Sequence, residues 1–167
     1  MSNHDLKSVI AEIMQASIDN FNKNEMYLLK HDVSERCICA KFACYVDKEL
    51  CRRNLSQYSV DVEYNRSEKA PKRLHDKNIV VDLIVHKRGS NNGDNNENLI
   101  CVEMKKTCNR NGCDSDIKRL QNLVDWSYGF NYVAGYMIVA DVGYKNEQFG
   151  LRIKRSFTEN LENEINS

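Results

Sequence analysis

The chain carries one proline, one tryptophan and no excess of either charge, with 24 basic side chains against 24 acidic ones. That balance excludes a globally basic nucleic-acid binder, so any positive surface has to be local. No apolar stretch approaches the roughly 20 residues of a membrane span. The opening Met1-Ser2-Asn3-His4-Asp5 lacks the basic and apolar regions of a signal peptide. A cytoplasmic protein with no membrane contact is the expectation. Internal repeats and low-complexity tracts are missing too, which excludes a repeat architecture. Cysteine is not scarce, but seven is an odd number without the regular spacing of a secreted disulfide framework, which points to reduced thiols. Cys37, Cys39 and Cys44 fall in an expected helix and Cys101 in an expected strand, where small hydrophobic packing suits them. Cys108 and Cys113 flank a polar turn and could close a hairpin or help hold zinc, yet no convincing second Cys or His pair follows.

At 167 residues the chain fits one compact domain with a real core. The apolar spacing Val9-Ile10, Ile13-Met14, Ile18 and Phe21 predicts a helix in the first thirty residues. A second begins at Asp32-Val33-Ser34-Glu35 and runs to about Leu50, with Ile38, Phe42, Tyr45 and Val46 as its stripe. Val60 to Tyr64 alternates as a half-buried strand should. A basic connection over 66–77 contains Pro71. Strands follow over 79–85 and from Leu99, joined by a polar, Asn-rich loop over 90–98 whose length permits antiparallel pairing. A third helix is expected over 115–128, capped by Asp114, with Ile117, Leu120, Leu123 and Val124 on one face. Strands over 132–140 and 149–155 complete the pattern. The expected fold is α/β, one domain over 1–167 with a central mixed sheet flanked by helices, an N-terminal helical extension 1–31 and a polar C-terminal tail 157–167.

Three charges stand out against this pattern. Asp82 sits inside the apolar run Ile79-Val80-Val81-Asp82-Leu83-Ile84-Val85, and the run Leu99-Ile100-Cys101-Val102 leads straight into Glu103-Met104-Lys105. Runs that are apolar at odd and even positions alike read as strands covered on both faces. A carboxylate buried there needs a cation, a strong donor or a metal. Glu103 and Lys105, two apart on a strand, share a face. If the strands are neighbours, two carboxylates and an ammonium meet, a set that suits a hard divalent cation with a phosphate beside it.

The order helix, strand, strand with Asp, strand with Glu-x-Lys, helix, strand resembles the αβββαβ core of the PD-(D/E)XK phosphodiesterase superfamily, the restriction-endonuclease-like fold, over residues 34–155. Asp82 matches its aspartate, Glu103 and Lys105 its (D/E)-x-K, and Glu35 the extra acidic residue many members carry in the first helix. The chain departs at Val81, where the name-giving proline would stand. The resemblance implies a metal-dependent nuclease that hydrolyses phosphodiester bonds, with DNA as the expected substrate. Mg²⁺ or Mn²⁺ would be held by Asp82, Glu103, the Met104 carbonyl and Glu35, and Lys105 would be catalytic. The alternative is a catalytically inactive module on the same fold that binds nucleic acid or a protein partner. Under either reading a homodimer or a subunit of a larger system is open.

Ordinary structure could account for several of these residues. Glu-x-Lys alone is a common surface pair. Asp32 and Glu35 have the spacing of a capping box, in which Glu35 would fold back onto the cap. Lys72, Arg73, Lys87, Arg88 and Lys106 are the candidate phosphate contacts, with Lys118 on the third helix beside Gln121, and a solvated surface would look the same. Trp126, Tyr128 and Tyr132 could stack on bases or pack in a core.

Overall fold

Leu83, Ile84 and Val85 have no exposed surface, nor do Leu99, Ile100, Cys101 and Val102. Consecutive strand residues face opposite ways, so each of these strands requires cover on both sides. In the computed structural model, which describes residues 3–64, 66–67, 70–71, 73–74, 77–89, 97–107, 113–143, 148–158 and 161–164, helices provide it. The elements are α1 (Asn3–Asn24), α2 (Met26–Lys30), α3 (Glu35–Arg52), β1 (Ser59–Tyr64), the two-residue strands β2 (Arg66–Ser67), β3 (Ala70–Pro71), β4 (Arg73–Leu74) and β5 (Lys77–Asn78), β6 (Val81–His86), β7 (Asn98–Lys106), α4 (Cys113–Val124), a 3-10 turn (Trp126–Tyr128), β8 (Ala134–Val142), β9 (Phe149–Thr158) and β10 (Leu161–Glu164).

The central sheet runs β1-β6-β7-β8-β9, with β10 added at the β9 edge. Every neighbouring pair is antiparallel except β7 and β8, which are parallel. A parallel pair cannot be closed by a tight turn and needs a crossover. Here α4 is that crossover, and it carries the chain across one face. Ile117, Leu120 and Leu123 pack there on Ile84, Cys101, Met137 and Phe157. α1 and α3 cover the other face, with Ile10, Ile13, Phe21, Ile38 and Phe42 against Leu83, Val85, Val102 and Met104. Phe21 and Phe42 meet edge to face, their ring centroids 6.3 Å apart.

The expected α/β class with a mixed sheet between helices is therefore observed, with differences at the element ends. The first helical stretch is two helices, broken at Glu25, where Asn24 Nδ2 bonds the Asn20 carbonyl and takes up a terminal acceptor. The helix expected over 115–128 ends at Val124, because Asp125 accepts the Ser127 amide and Gly129 turns left-handed at φ 76°. The connection over 66–77 folds into two short hairpins, β2 with β3 and β4 with β5. The tail expected from residue 157 is structured in its first part. β9 continues to Thr158, and β10 pairs with Arg155–Thr158, since backbone hydrogen bonds at a sheet edge place little demand on side-chain polarity. No described helix is long and apolar enough to cross a membrane.

One glycine sets how closely α4 approaches the sheet. A Cβ at Gly135 in β8 would lie 3.2 Å from Val124 Cγ1 and 3.3 Å from Cys101 Sγ, both on buried residues. Gly135→Val should lower the unfolding free energy by about 1–3 kcal/mol through overpacking. Urea denaturation measures this, and an unchanged midpoint would mean that α4 can move outward without cost.

Candidate active site

The first turn of α3 decides what Glu35 does. Ser34, not Asp32, is the N-cap, its hydroxyl accepting the Cys37 amide at 3.2 Å. Glu35 is thus the first helical residue, one position past the cap, and the capping-box reading of Asp32 and Glu35 is corrected. Its carboxylate leaves α3 altogether. Oε2 accepts the Lys106 amide at 3.0 Å and Oε1 lies 3.3 Å from Lys105 Nζ, both at the end of β7. Asp32 has a left-handed backbone, φ 49°, in the turn between α2 and α3, and takes the Lys106 ammonium at 2.6 Å. Lys106 also donates to the Val33 carbonyl at 3.2 Å, so this candidate phosphate contact ties a turn to the sheet.

β6 and β7 bring Asp82 and Glu103 together, as neighbouring strands should. Asp82 Oδ2 accepts the Met104 amide at 2.8 Å. Glu103 is 1% exposed, and its Oε1 is ion-paired with Arg119 from α4. Burial first, and the Asp82 charge second, push the Glu103 pKa well above the ordinary carboxylate value, while Arg119 pulls it down. The ammonium of Lys105 lies 3.3 Å from both Glu35 Oε1 and Asp116 Oδ2. Burial works to lower its pKa, but the Asp116 and Glu35 charges outweigh it and hold the pKa above the ordinary lysine value. The Asp116 contact is an ion pair without hydrogen-bond geometry, which leaves Oδ2 a buried acceptor with no hydrogen bond. Four carboxylates, Asp82, Glu103, Glu35 and Asp116, thus surround two cations, Lys105 and Arg119.

From the sequence, Lys118, Gln121 and Asp116 are polar residues of α4 that could face the site or solvent, and Arg119 shares the polar face without a role in the site. The structure reverses this. Lys118 is exposed, whereas Asp116 is 5% exposed and Arg119 bridges Glu103 and Asp116. The signal was present: Asp116, Leu120 and Leu123 follow i, i+4, i+7, so the buried stripe extends one turn back onto an acid. Glu63 was also missed. It lies where the register steps from Val62↔Leu83 to Tyr64↔Val81, beside Asp82, with φ 51°. Together Glu35, Cys39, Glu63 and Asp82 border a cleft of about 280 Å³. Burial and the charges of Asp82, Glu103 and Glu35 push the Cys39 thiol far up, so it stays protonated and donates to the Asp82 carbonyl at 3.4 Å.

The other basic candidates do not reach this spot. Lys87 and Arg88 follow the far end of β6, about 16–20 Å from Asp82 at roughly 3.3 Å per residue. Arg88 is bound to Asp61, and the Lys87 ammonium lies 5.4 Å from the centre of the Tyr58 ring. Lys72 lies outside the described residues, as does the side chain of Arg73. So does Cys108, and with it the hairpin or zinc reading of the Cys108–Cys113 pair. Tyr132 is fully buried in the core, while Trp126 and Tyr128 are exposed.

Among the described residues no three of His, Cys, Asp and Glu form a ready-made cage for a metal. The reason is visible in the contacts, since Glu103 is turned to Arg119, Glu35 to Lys105 and Lys106, and Asp82 to an amide. The donor chemistry nevertheless fits a hard divalent cation: oxygen ligands, a surplus of negative charge and a buried carboxylate oxygen that accepts no hydrogen bond. Compared with protein-family models, curated proteins and solved structures, the chain finds no match in any of the three.

Because Glu103 holds its proton more tightly in the folded protein than in the unfolded chain, folding stability should fall as pH rises from the ordinary carboxylate value of 4.5 toward the raised one. Glu103→Gln should flatten that part of the curve in urea titrations between about pH 4 and 8. If wild-type stability does not fall over this range, Arg119 alone keeps Glu103 ionised.

Proposed function

We propose that the protein is a metal-dependent nuclease with a restriction-endonuclease-like core, in which α3, β1, β6, β7, α4 and β8 correspond to the αβββαβ order of the PD-(D/E)XK superfamily. The observation that carries this reading is the convergence of Asp82, Glu103 and Lys105 at one end of adjacent strands, with carboxylates in excess. The antiparallel β1-β6-β7 arrangement and the parallel β7–β8 pair across α4 support it as well.

Asp82 and Glu103, with the Met104 carbonyl and Glu35, are the residues that would hold Mg²⁺ or Mn²⁺. Bound there, the ion would polarise a phosphate oxygen and lower the pKa of an attacking water. The chain's own part is electrostatic placement. Lys105, clamped between Glu35 and Asp116, offers a fixed positive charge to the negative charge that develops at the attacked phosphate. Arg119 offsets the negative charge of Glu103 and so favours its ionised, ligand-competent form. Cys39 and the Met104 amide hold the Asp82 segment from two sides.

The Arg119–Glu103 pair also favours the second reading, a non-catalytic module on the same fold, because a guanidinium already balances the carboxylate that a metal would use. Cleavage assays separate the two. Plasmid, linear duplex, single-stranded DNA and RNA should be tested with Mg²⁺ and Mn²⁺. The expected result is metal-dependent cutting, abolished by EDTA, Asp82→Asn and Glu103→Gln. Lys105→Ala should lose cleavage by several orders of magnitude, as removal of one charge-stabilising group at a reacting centre does, each factor of ten being about 1.4 kcal/mol. Its calorimetric affinity for Mn²⁺ should survive. No cutting of any substrate would leave the non-catalytic module as the better account, and full activity in Lys105→Ala would overturn the role given to Lys105.

A further inference from the structure

Beyond Lys105, on the side away from Asp82, the sheet carries a second set of cations. Lys105 stands opposite Val139 in β8, and Val139 opposite Arg152 in β9. Directly opposed residues share a face, so Lys105 and Arg152 flank Val139 with their backbones about 10 Å apart, at roughly 4.8 Å per strand. It is the face that α4 covers, because Glu103, two residues before Lys105, stands opposite Met137 of the α4 core. The β8–β9 pairing then slips by one residue, from Ile138↔Ile153 to Met137↔Arg155, and Lys154 is the extra residue of the resulting bulge. A bulge re-aims a side chain, and bulges are frequent beside functional sites.

Arg152 and Lys154, with Lys105, Lys106, Thr107 and Cys113, border a cleft of about 380 Å³. That volume lies in the range of small-ligand sites, about 300–1,000 Å³. Cys113 opens α4, a 12-residue helix, so the positive end of that helix faces the same space. Lys105 and Lys106 are held by Glu35, Asp116 and Asp32, whereas Arg152 and Lys154 are only lightly committed. Arg152 bonds Asp141 at 2.8 Å in a partly exposed pair of the kind that contributes little. Lys154 is exposed, with its ammonium 3.7 Å from Cys113 Sγ, and Asp114 is the one carboxylate of the lining among the described residues. The cluster around Asp82 and Glu103 has surplus negative charge, four cations and one described carboxylate line this cleft, and Lys105 stands at the boundary. A phosphodiester strand laid across Lys105 would place one phosphate at the carboxylate cluster and the next at the cleft.

We infer that this cleft is a second phosphate site, holding the backbone of a nucleic-acid strand next to the phosphate at Lys105, with Arg152 and Lys154 as its cations. The identity of the strand rests on the nuclease reading; the cleft and its charge do not. Both cations contact phosphate rather than base edges, so the grip is independent of sequence and weakens with salt.

Fluorescence anisotropy with short, end-labelled single-stranded DNA and RNA tests the inference. It should be run once with EDTA and once with Ca²⁺, which takes the same hard oxygen ligands as Mg²⁺. Both side chains are exposed, so the double variant Arg152→Ala, Lys154→Ala should fold normally. It should lose on the order of tenfold in affinity at low salt, and its slope of log affinity against log salt should fall by about 0.7, the value for one phosphate of a single strand. Lys23→Ala with Lys48→Ala, an equal charge change at exposed positions of α1 and α3, should bind as the parent does. The inference is overturned if the Arg152, Lys154 variant keeps the parent's affinity and slope, if the control pair loses as much, or if the parent binds neither oligonucleotide. Tighter binding of a phosphoserine peptide than of either oligonucleotide would overturn it too, assigning the cleft to a protein partner. Cleft-dependent binding without any cleavage would instead sink the nuclease reading and leave the cleft standing.

Discussion

Glu103 is a carboxylate with almost no access to water, on a strand covered by helices on both faces. Taking that charge out of water pushes its pKa up, and the partner that offsets the cost comes from α4. Breaking such a buried pair by removing one member costs about 3–5 kcal/mol. The crossover helix must therefore lie close and in one rotation, with Arg119 over Glu103 and Asp116 bridging Arg119 to Lys105. Gly135 permits that approach, since the absence of a side chain there lets Val124 and Leu120 settle against the sheet. The electrostatics of one side chain thus constrain the packing of a whole layer.

From the opposite layer Glu35 meets the same lysine. The Lys105 ammonium is touched by α3 through Glu35 and by α4 through Asp116, so the two helical layers meet electrostatically at the end of β7, beyond the edge of the apolar core. Such a clamp fixes a flexible side chain at the entropic cost of its rotamers, a cost that charge pairing at partly buried positions offsets better than surface pairing does. Divided this way, the surface has a carboxylate-rich hollow toward β6 and a cation-lined cleft toward β9.

Much of the scaffold was legible in the chain. Runs such as Leu83-Ile84-Val85 and Leu99-Ile100-Cys101-Val102 allow no reading but a strand buried on both sides, and Asp82 and Glu103 stand out because charge is expensive there. The stripe Ile117, Leu120, Leu123 announced an amphipathic crossover. Element ends were less visible, because they depend on single hydrogen bonds. Ser34 and Asp32 are both good caps by type, and only the Cys37 amide meeting Ser34 Oγ decides between them, freeing Glu35 for the site. The polar segment at 161–164 resembled a tail because an edge strand needs hydrogen bonds to its neighbour more than apolar side chains.

What the sequence determined by itself is the α/β class, the buried strands and the identity of Asp82 and Glu103 as costly charges, because burial patterns and side-chain alternation are local properties of the chain. What only the tertiary structure decided is the partnership around them. Arg119 on Glu103, Asp116 on Lys105, Glu35 across from α3, and Arg152 with Lys154 two strands away all lie at least eleven residues along the chain from Lys105 or Glu103. No periodicity within one element encodes which faces of different elements will meet. The distance at which opposite charges neutralise one another is a few ångströms, and only packing sets it.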